Sequence, residues 1–310
     1  MVDKIAFVLG SNGYVGKSLV KELISQNFFV IGIGRSPRIN FWEGQILKNE
    51  NFYYVSIQDG YINKLYEISK NFNIHILNTS IFFNLAWSGG LSLTGGGLEK
   101  QFENIILSCD SIKLAKRLGC KRYINLGSVQ ESYLDNYIKE KWKSTNKKFP
   151  SLEDYSLAKA TCRDYNKLIC YYEKIDYIHC NFSVFINQEL NGKGYIHESL
   201  KAISKGESYK KPNSSQYYDL TLINEGCKAI SLIATQGINN QDYYIGASMP
   251  YKLDEIFSIF ENYKNNIEEN IISNPPQDII NFFKNDLLYE KTKYKPQLNF
   301  NQFSKLFFKQ

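Results

Sequence analysis

Tyr155 and Lys159, in the run Tyr155-Ser156-Leu157-Ala158-Lys159, are a phenol and an amine four residues apart. On a helix that spacing places both side chains on one face. There the ammonium favours the phenolate and draws a tyrosine pKa of about 10 down toward the range useful for proton transfer. Such a tyrosine gives a proton to a carbonyl oxygen as a hydride arrives, or removes one from an alcohol in the reverse direction. Ser128 stands upstream in Leu126-Gly127-Ser128, and its hydroxyl can bond the same oxygen. In a chain with 23 tyrosines a chance Tyr-x-x-x-Lys is common, and its ordinary meaning is an exposed helical pair. Order gives this one weight: a glycine turn comes first, then Gly-Ser, then Tyr and Lys.

The glycine turn is Gly10-Ser11-Asn12-Gly13-Tyr14-Val15-Gly16, a G-x-x-G-x-x-G spacing directly after the apolar run Ile5-Ala6-Phe7-Val8-Leu9. Missing side chains permit a tight turn, close approach of backbone N–H groups to a pyrophosphate, and close packing of helix on strand. Leu19, Val20, Leu23 and Ile24 follow at helical spacing, so the turn joins a strand to a helix amino terminus. At the end of the next strand, Val30-Ile31-Gly32-Ile33-Gly34-Arg35-Ser36 lacks the acidic residue that would accept from an adenosine ribose. Arg35, with Ser36 and Arg38, suits a 2′-phosphate instead, which favours NADP (NADPH) over NAD. An exposed arginine after a strand is the plainer alternative.

Elements that would position these residues follow from the hydrophobic period. Residues 1–182 alternate short apolar runs with amphipathic segments, as in a Rossmann-type α/β fold: a doubly wound parallel sheet with helices on both faces. Strands are expected at Ile5–Leu9, Phe28–Ile33, Phe52–Ile57, Ile81–Leu85, Tyr123–Leu126 and Tyr177–Phe182. Leu98, Phe102, Ile105, Ile106, Cys109, Ile112 and Leu118 recur at spacings of three and four and are expected on one buried helical stripe, in the core or at a dimer interface. Residues 183–310 loosen into longer loops with helices near 195–205, 225–235 and 252–264; they are expected to form mainly a smaller substrate-binding lobe, some segments of which return to the sheet. The stretch from Ser88-Gly89-Gly90 to Gly95-Gly96-Gly97 reads as a flexible loop.

Composition bounds the partners. At 310 residues, 43% hydrophobic and 22% charged, the chain has material for one large core, or for a core with an appended lobe. No apolar run approaches the roughly 18 residues of a membrane span, and Met1-Val2-Asp3-Lys4 leads straight into a strand; a cytoplasmic protein with no membrane partner is expected. Six cysteines without a C-x-x-C pair and three histidines without H-E-x-x-H indicate neither a metal site nor a disulfide framework. The net charge of +6 gathers only in Lys139–Lys148, which has no interleaved aromatics and reads as a solvated loop rather than a nucleic-acid surface. A mildly basic protein suits an anionic small substrate.

Several segments together resemble an extended short-chain dehydrogenase/reductase of the nucleotide-sugar epimerase/dehydratase/reductase branch, over most of the chain. Phe83-Asn84-Leu85-Ala86-Trp87 matches the family's segment after the fourth strand, with Asn84 in place of the frequent histidine. Asn104 sits where the family commonly has an asparagine, and Leu126-Gly127-Ser128 matches its active-site serine. Tyr218-Asp219-Leu220-Thr221-Leu222-Ile223-Asn224-Glu225 is similar to its R-D-F-h-h-V-x-D segment, and Tyr244-Ile245-Gly246 to its Y-N-I-G strand.

The resemblance implies Ser128, Tyr155 and Lys159 as the catalytic set. It implies dinucleotide contacts from Gly10, Asn12, Gly13, Tyr14, Val15, Gly16, Arg35, Ser36, Asp59, Leu85, Ala86, Trp87 and Asn104 as well as from Tyr155 and Lys159. For a nucleotide-diphosphate sugar it implies contacts from Ser128, Val129, Gln130, Ser183, Lys193 and Tyr218. Ser128 is followed by Val129 and Gln130 rather than Asp and Glu, which weakens dehydration. No cysteine follows it closely, as one does in the dual epimerase-reductases. Tyr218 replaces an arginine that often meets the substrate diphosphate, leaving Lys193, Lys211 or backbone N–H groups for that task. The implied activity is reduction of a nucleotide-linked keto-sugar at C4 by NADPH; a 4-epimerase holding NAD tightly, or a dinucleotide-binding sensor without catalysis, are the alternatives. A homodimer through helices near 98–118 and 152–172 is also implied.

Overall fold

The computed structural model describes residues 4–36, 49–59, 63, 65, 67, 80–89, 97–141, 153–212, 216–267 and 271–309. Arg38, Gly90, Gly95, Gly96 and positions 142–148 of the basic stretch lie outside the described residues. Seven strands form one parallel sheet: β1 (Ile5–Leu9), β2 (Phe29–Gly34), β3 (Phe52–Ser56), β4 (Ile81–Asn84), β5 (Arg122–Leu126), β6 (Asp176–Asn181) and β10 (Gln241–Tyr244), in the order β10-β6-β5-β4-β1-β2-β3. The first six begin and end within one residue of the sequence expectation. β1 is buried along its whole length, because helices cover both faces of the sheet.

One face packs Ala6, Val8, Val30, Phe83, Ile124 and Ile178 against α1 (Tyr14–Ser25) and α6 (Ile223–Gln236). The other packs Phe7, Ile31, Phe82, Tyr123 and Tyr177 against α2 (Gly97–Arg117) and α4 (Glu153–Glu173). α3 (Val129–Lys141) follows β5 and packs on α4. A further core is built from β7 (Val184–Ile186), β9 (Leu220–Leu222), β11 (Tyr251–Lys252), α5 (Tyr195–Lys205), α7 (Leu253–Lys264) and α10 (Phe300–Phe308), with Leu200, Ile203, Ile256, Phe260 and Phe303 at its centre. β8 (Tyr217–Tyr218) pairs with β11; α8 (Gln277–Phe282) and α9 (Asp286–Thr292) complete the described elements. No described helix is long and apolar enough to cross a membrane.

Strand order reverses direction between β1 and β4, so the turns after these strands diverge and leave a crevice at the carboxyl edge. The glycine turn follows β1, Leu85-Ala86-Trp87 follows β4, and Ser128 follows β5.

The expected helical stripe is buried within the chain only in its second half, at Ile112 and Leu118. Leu98, Phe102 and Ile106 are 58%, 55% and 60% exposed, while Gln101, Asn104, Ser108, Ser111, Ile112 and Ala115 are buried. The first half of α2 turns its polar residues inward because the strand ends beneath it carry polar side chains that need partners: Ser108 Oγ accepts from Asn84 Nδ2 at 2.8 Å. Its apolar residues are thereby turned outward.

Candidate active site

Gly10 has φ +87°, a left-handed conformation that glycine adopts freely, and a Cβ there would lie 2.9 Å from the Ala86 nitrogen and the Leu85 carbonyl carbon. The glycine turn and the Leu85-Ala86 segment are therefore in backbone contact. A Cβ on Gly16 would fall 2.2 Å from the Gly10 oxygen. α1 begins at the N-cap Gly13 with no side-chain cap, and a helix amino terminus left in this way can receive an anion. Asn12 Nδ2 donates to the Tyr54 hydroxyl at 2.7 Å and that hydroxyl donates to the Ser36 carbonyl at 2.7 Å, which ties the turn to the end of β2. Arg35 is exposed beside Ser36. These residues fit a dinucleotide: a bare helix amino terminus, glycines where Cβ atoms would collide, and a cation after the second strand. Val15 is half-buried against the core, and the Tyr14 ring meets His197 edge-on at 5.5 Å, its hydroxyl without a hydrogen-bond partner among the described residues. Burial raises the Tyr14 pKa well above its ordinary value, followed by the charge of Glu189. Asp59 ends the short 3₁₀ turn after β3, and its side chain lies outside the described residues.

The Ser128 hydroxyl stands close enough to Tyr155 to favour its phenolate against burial. Ser128 Oγ also accepts from the Gln130 N–H at 3.3 Å, so its own proton is directed away from the α3 backbone. The Trp87 ring meets Tyr155 edge-on at 5.8 Å and lies 3.9 Å under the Lys159 ammonium. Lys159 Nζ donates to the Leu126 carbonyl at 3.0 Å and stands 5.9 Å from the Tyr155 ring centre. The expected electrostatics are thereby corrected. Burial pushes the Tyr155 phenol up to about 12 against the opposing pull of the Ser128 hydroxyl, and burial also lowers Lys159, whose Nζ stands nearer the Trp87 ring than the Tyr155 ring. Tyr155 is a protonated acid at neutral pH.

Asn104 clamps the segment after Trp87: Ser88 N donates to its Oδ1 at 2.9 Å and its Nδ2 donates to the Ser88 carbonyl at 2.9 Å. Val129 is buried and donates to the Phe182 carbonyl at 2.9 Å. Gln130 Oε1 accepts from Gln216 Nε2 at 3.2 Å, and Gln216 Oε1 accepts from the Tyr218 hydroxyl at 3.0 Å, so Gln130 and Tyr218 are joined through a glutamine that sequence reasoning missed. Burial pushes the Tyr218 phenol up to about 12. Ser183 Oγ accepts from the Asp219 N–H at 3.1 Å and so serves the fold. Lys193 is exposed, and no described contact brings it to Ser128 or Tyr155. Also missed was Glu131, wholly buried, whose Oε1 accepts from the Ser128 N–H at 2.9 Å. Its signal was legible: Ser128-x-x-Glu131 has the capping-box spacing at a helix start.

The sequence model of the NAD dependent epimerase/dehydratase family matches residues 6–246. No curated protein is similar enough in sequence to match the chain. Among solved structures, the UDP-glucose 4-epimerase of Thermotoga maritima superposes with TM-score 0.69 at 17% identity, covering 98% of this chain and 97% of its own. The dTDP-glucose 4,6-dehydratase of Bacillus anthracis, solved with NAD, gives 0.72 at 14% identity over 99% and 96% of the two chains. The UDP-glucuronic acid 4-epimerase of Bacillus cereus gives 0.72 at 14% identity over 98% of each. At such identities the structures speak for the fold. With the family match spanning the glycine turn, the Ser128 turn and the Tyr155/Lys159 helix, this chain belongs to the NAD dependent epimerase/dehydratase family.

Proposed function

We propose that the protein is an NADPH-dependent ketoreductase acting at C4 of a nucleotide-linked keto-sugar in surface-polysaccharide sugar biosynthesis, working as a cytoplasmic homodimer. The observation that carries the chemistry is Tyr155, a phenol whose pKa burial raises, brought beside Ser128 and Trp87 at the carboxyl edge of the sheet. Bound NADPH supplies the hydride that a carbonyl carbon accepts. Tyr155 donates its proton to the carbonyl oxygen and Ser128 orients that oxygen by a hydrogen bond. Lys159 and Trp87 hold the floor beside them, and the glycine turn with the α1 amino terminus holds the pyrophosphate. The sugar class and pathway rest on the family resemblance. Incubation with NADPH and a panel of nucleotide-linked 4-keto sugars, with products separated by anion exchange, tests base, sugar and stereochemistry together. Tightly held NAD released from the purified protein, with no consumption of added NADPH, selects the 4-epimerase instead, an activity named for two of the structural neighbours.

Arg35 supports NADP because a guanidinium can pair with a 2′-phosphate that NAD lacks. Arg35→Ala is expected to raise KM for NADPH about 10–100-fold, the value of one lost charge-assisted contact, with NADH little affected. Steady-state kinetics with both cofactors check this, and an unchanged preference removes the NADP assignment.

Leu98, Phe102 and Ile106 on α2 lie at i, i+4 and i+8, and Leu157, Tyr165, Leu168 and Tyr172 are exposed on the neighbouring α4. Burying so much apolar surface against a second copy supports the homodimer. Ile106→Glu is expected to shift the protein to monomer in light scattering at micromolar concentration, while a wild-type monomer ends the dimer proposal.

A further inference from the structure

β4, β5 and β6 are in register, so Phe82, Tyr123 and Tyr177 stand side by side, and two residues further on so do Asn84, Asn125 and His179. The aromatic trio forms a stacked row, Phe82 on Tyr123 at 5.6 Å and Tyr123 on Tyr177 at 6.4 Å. The polar trio is wholly buried above it, at the carboxyl edge. Its members are hydrogen-bonded in series. Ala86 N donates to Asn84 Oδ1 at 3.3 Å, and Asn84 Nδ2 lies 3.1 Å from Asn125 Oδ1. Asn125 Nδ2 lies 3.2 Å from His179 Nδ1, and His179 Nε2 lies 2.9 Å from Glu131 Oε2. The other Glu131 oxygen accepts from Ser128 N.

Both ends of this chain are backbone N–H groups, which only donate. An amide or a neutral imidazole passes hydrogen-bond polarity through itself, accepting on one side and donating on the other. A series ended by two donors therefore needs one member that accepts on both sides, and Glu131 is the only carboxylate in it. From Ala86 the polarity runs through Asn84 and Asn125 to a His179 that accepts at Nδ1 and donates from Nε2. From the other end it runs directly from Ser128. Gly127 leaves the room for this: a Cβ there would lie 2.3 Å from His179 Nε2.

We propose that Glu131 is a positioning residue for Ser128, held in place by a directional hydrogen-bond chain through His179, Asn125 and Asn84 that begins at the Ala86 backbone beside the glycine turn. The role in turnover rests on the ketoreductase function above; the chain itself does not. Other groups facing the pair support the arrangement: Arg163 Nη1 is 3.8 Å from Glu131 Oε2, and the Tyr177 hydroxyl is 3.1 Å from His179 Nδ1.

Polarity makes Glu131→Gln a disruptive change despite its shape, because the new amide N–H meets the His179 Nε2–H. If His179 switches tautomer, its Nδ1–H meets the Asn125 amide. Adding Asn125→Asp moves the double acceptor to the other side of the imidazole: Gln donates to His179 Nε2, His179 donates from Nδ1 to Asp, and Asp accepts from Asn84. Glu131→Gln is expected to lower kcat about 10–100-fold with KM nearly constant and to speed exchange of the Ser128 amide, and the double variant to recover most of both. Nitrogen-15 NMR of the histidine rings, at pH 7, is expected to show His179 as the Nε2–H tautomer in the wild type and Nδ1–H in the double variant. A wild-type His179 that is doubly protonated or Nδ1–H overturns the proposal. So does a Glu131→Gln protein with unaltered kcat and amide exchange, or a double variant no better than the single one. If the wild type reduces no keto-sugar, the ketoreductase function falls, while tautomer and amide exchange still decide the chain.

Discussion

Tyr155→Phe is expected to lower kcat for keto-sugar reduction by about 10²–10⁴-fold, the range for removing a general acid, with dinucleotide affinity and KM changed little. Phenylalanine keeps the ring that meets Trp87 edge-on at 5.8 Å, so the packing of the site survives. What disappears is the proton. Ser128 remains to polarise the carbonyl, but its own hydroxyl is a poor acid, and Lys159 is engaged by the Leu126 carbonyl at 3.0 Å. Because burial holds Tyr155 near 12, the acid is fully protonated across neutral pH and the wild-type reduction rate is expected to show no Tyr155 titration there. Loss of NADPH absorbance under saturating substrate measures the effect. Catalysis within tenfold of wild type removes Tyr155 as the acid. An unchanged phenotype of Tyr155→Phe in the cell, beside a lost one for Gly13→Asp, makes the protein a dinucleotide-binding sensor.

The parts of the site visible in the sequence are those whose chemistry is local. The Gly10/Gly13/Gly16 spacing and the apolar β1 before it sit within a dozen residues, and strand boundaries followed from apolar runs because both faces of the sheet are covered. Tyr155 and Lys159 were visible as a pair through helical spacing, but their electrostatics were not. Whether an ammonium lowers a phenol depends on where the amine points, and Lys159 points to a strand end 33 residues back and to Trp87. Glu131 and His179, 48 residues apart, meet only because β5 and β6 are neighbours. Even so the row had left a trace: Phe82-x-Asn84, Tyr123-x-Asn125 and Tyr177-x-His179 repeat aromatic-x-polar at the end of three strands. Read one strand at a time this is ordinary alternation; only the in-register parallel pairing turns it into a ladder. The α2 stripe was legible only in part, for the complementary reason. Its apolar period is real, but the polar strand ends claimed the inner face of that helix first, since an unpaired buried amide costs about 1–3 kcal/mol.

Gly16→Val is the other change with a large expected effect, and it separates cofactor binding from catalysis. The first atom added at position 16 falls 2.2 Å from the Gly10 oxygen and 2.9 Å from the Ser11 carbonyl carbon, all backbone, so nothing can rotate away. α1 must move off β1, opening the contact that Leu19, Val20 and Leu23 make with the core and displacing the first-turn N–H groups proposed to hold the pyrophosphate. Overpacking of this kind costs about 1–3 kcal/mol in stability, and displacing several phosphate contacts together is expected to weaken dinucleotide binding by more than about 100-fold. Gly13→Ala grades the argument. Its Cβ would lie 3.1 Å from the same Gly10 oxygen, a contact that a shift of a few tenths of an ångström relieves, so a smaller loss is expected at the N-cap. Thermal unfolding with and without NADPH measures both: the wild type gains stability from the ligand, Gly13→Ala gains less, and Gly16→Val gains none. Equal ligand stabilisation of the three proteins places the dinucleotide away from this turn, and with it the hydride that the Tyr155 proton must accompany.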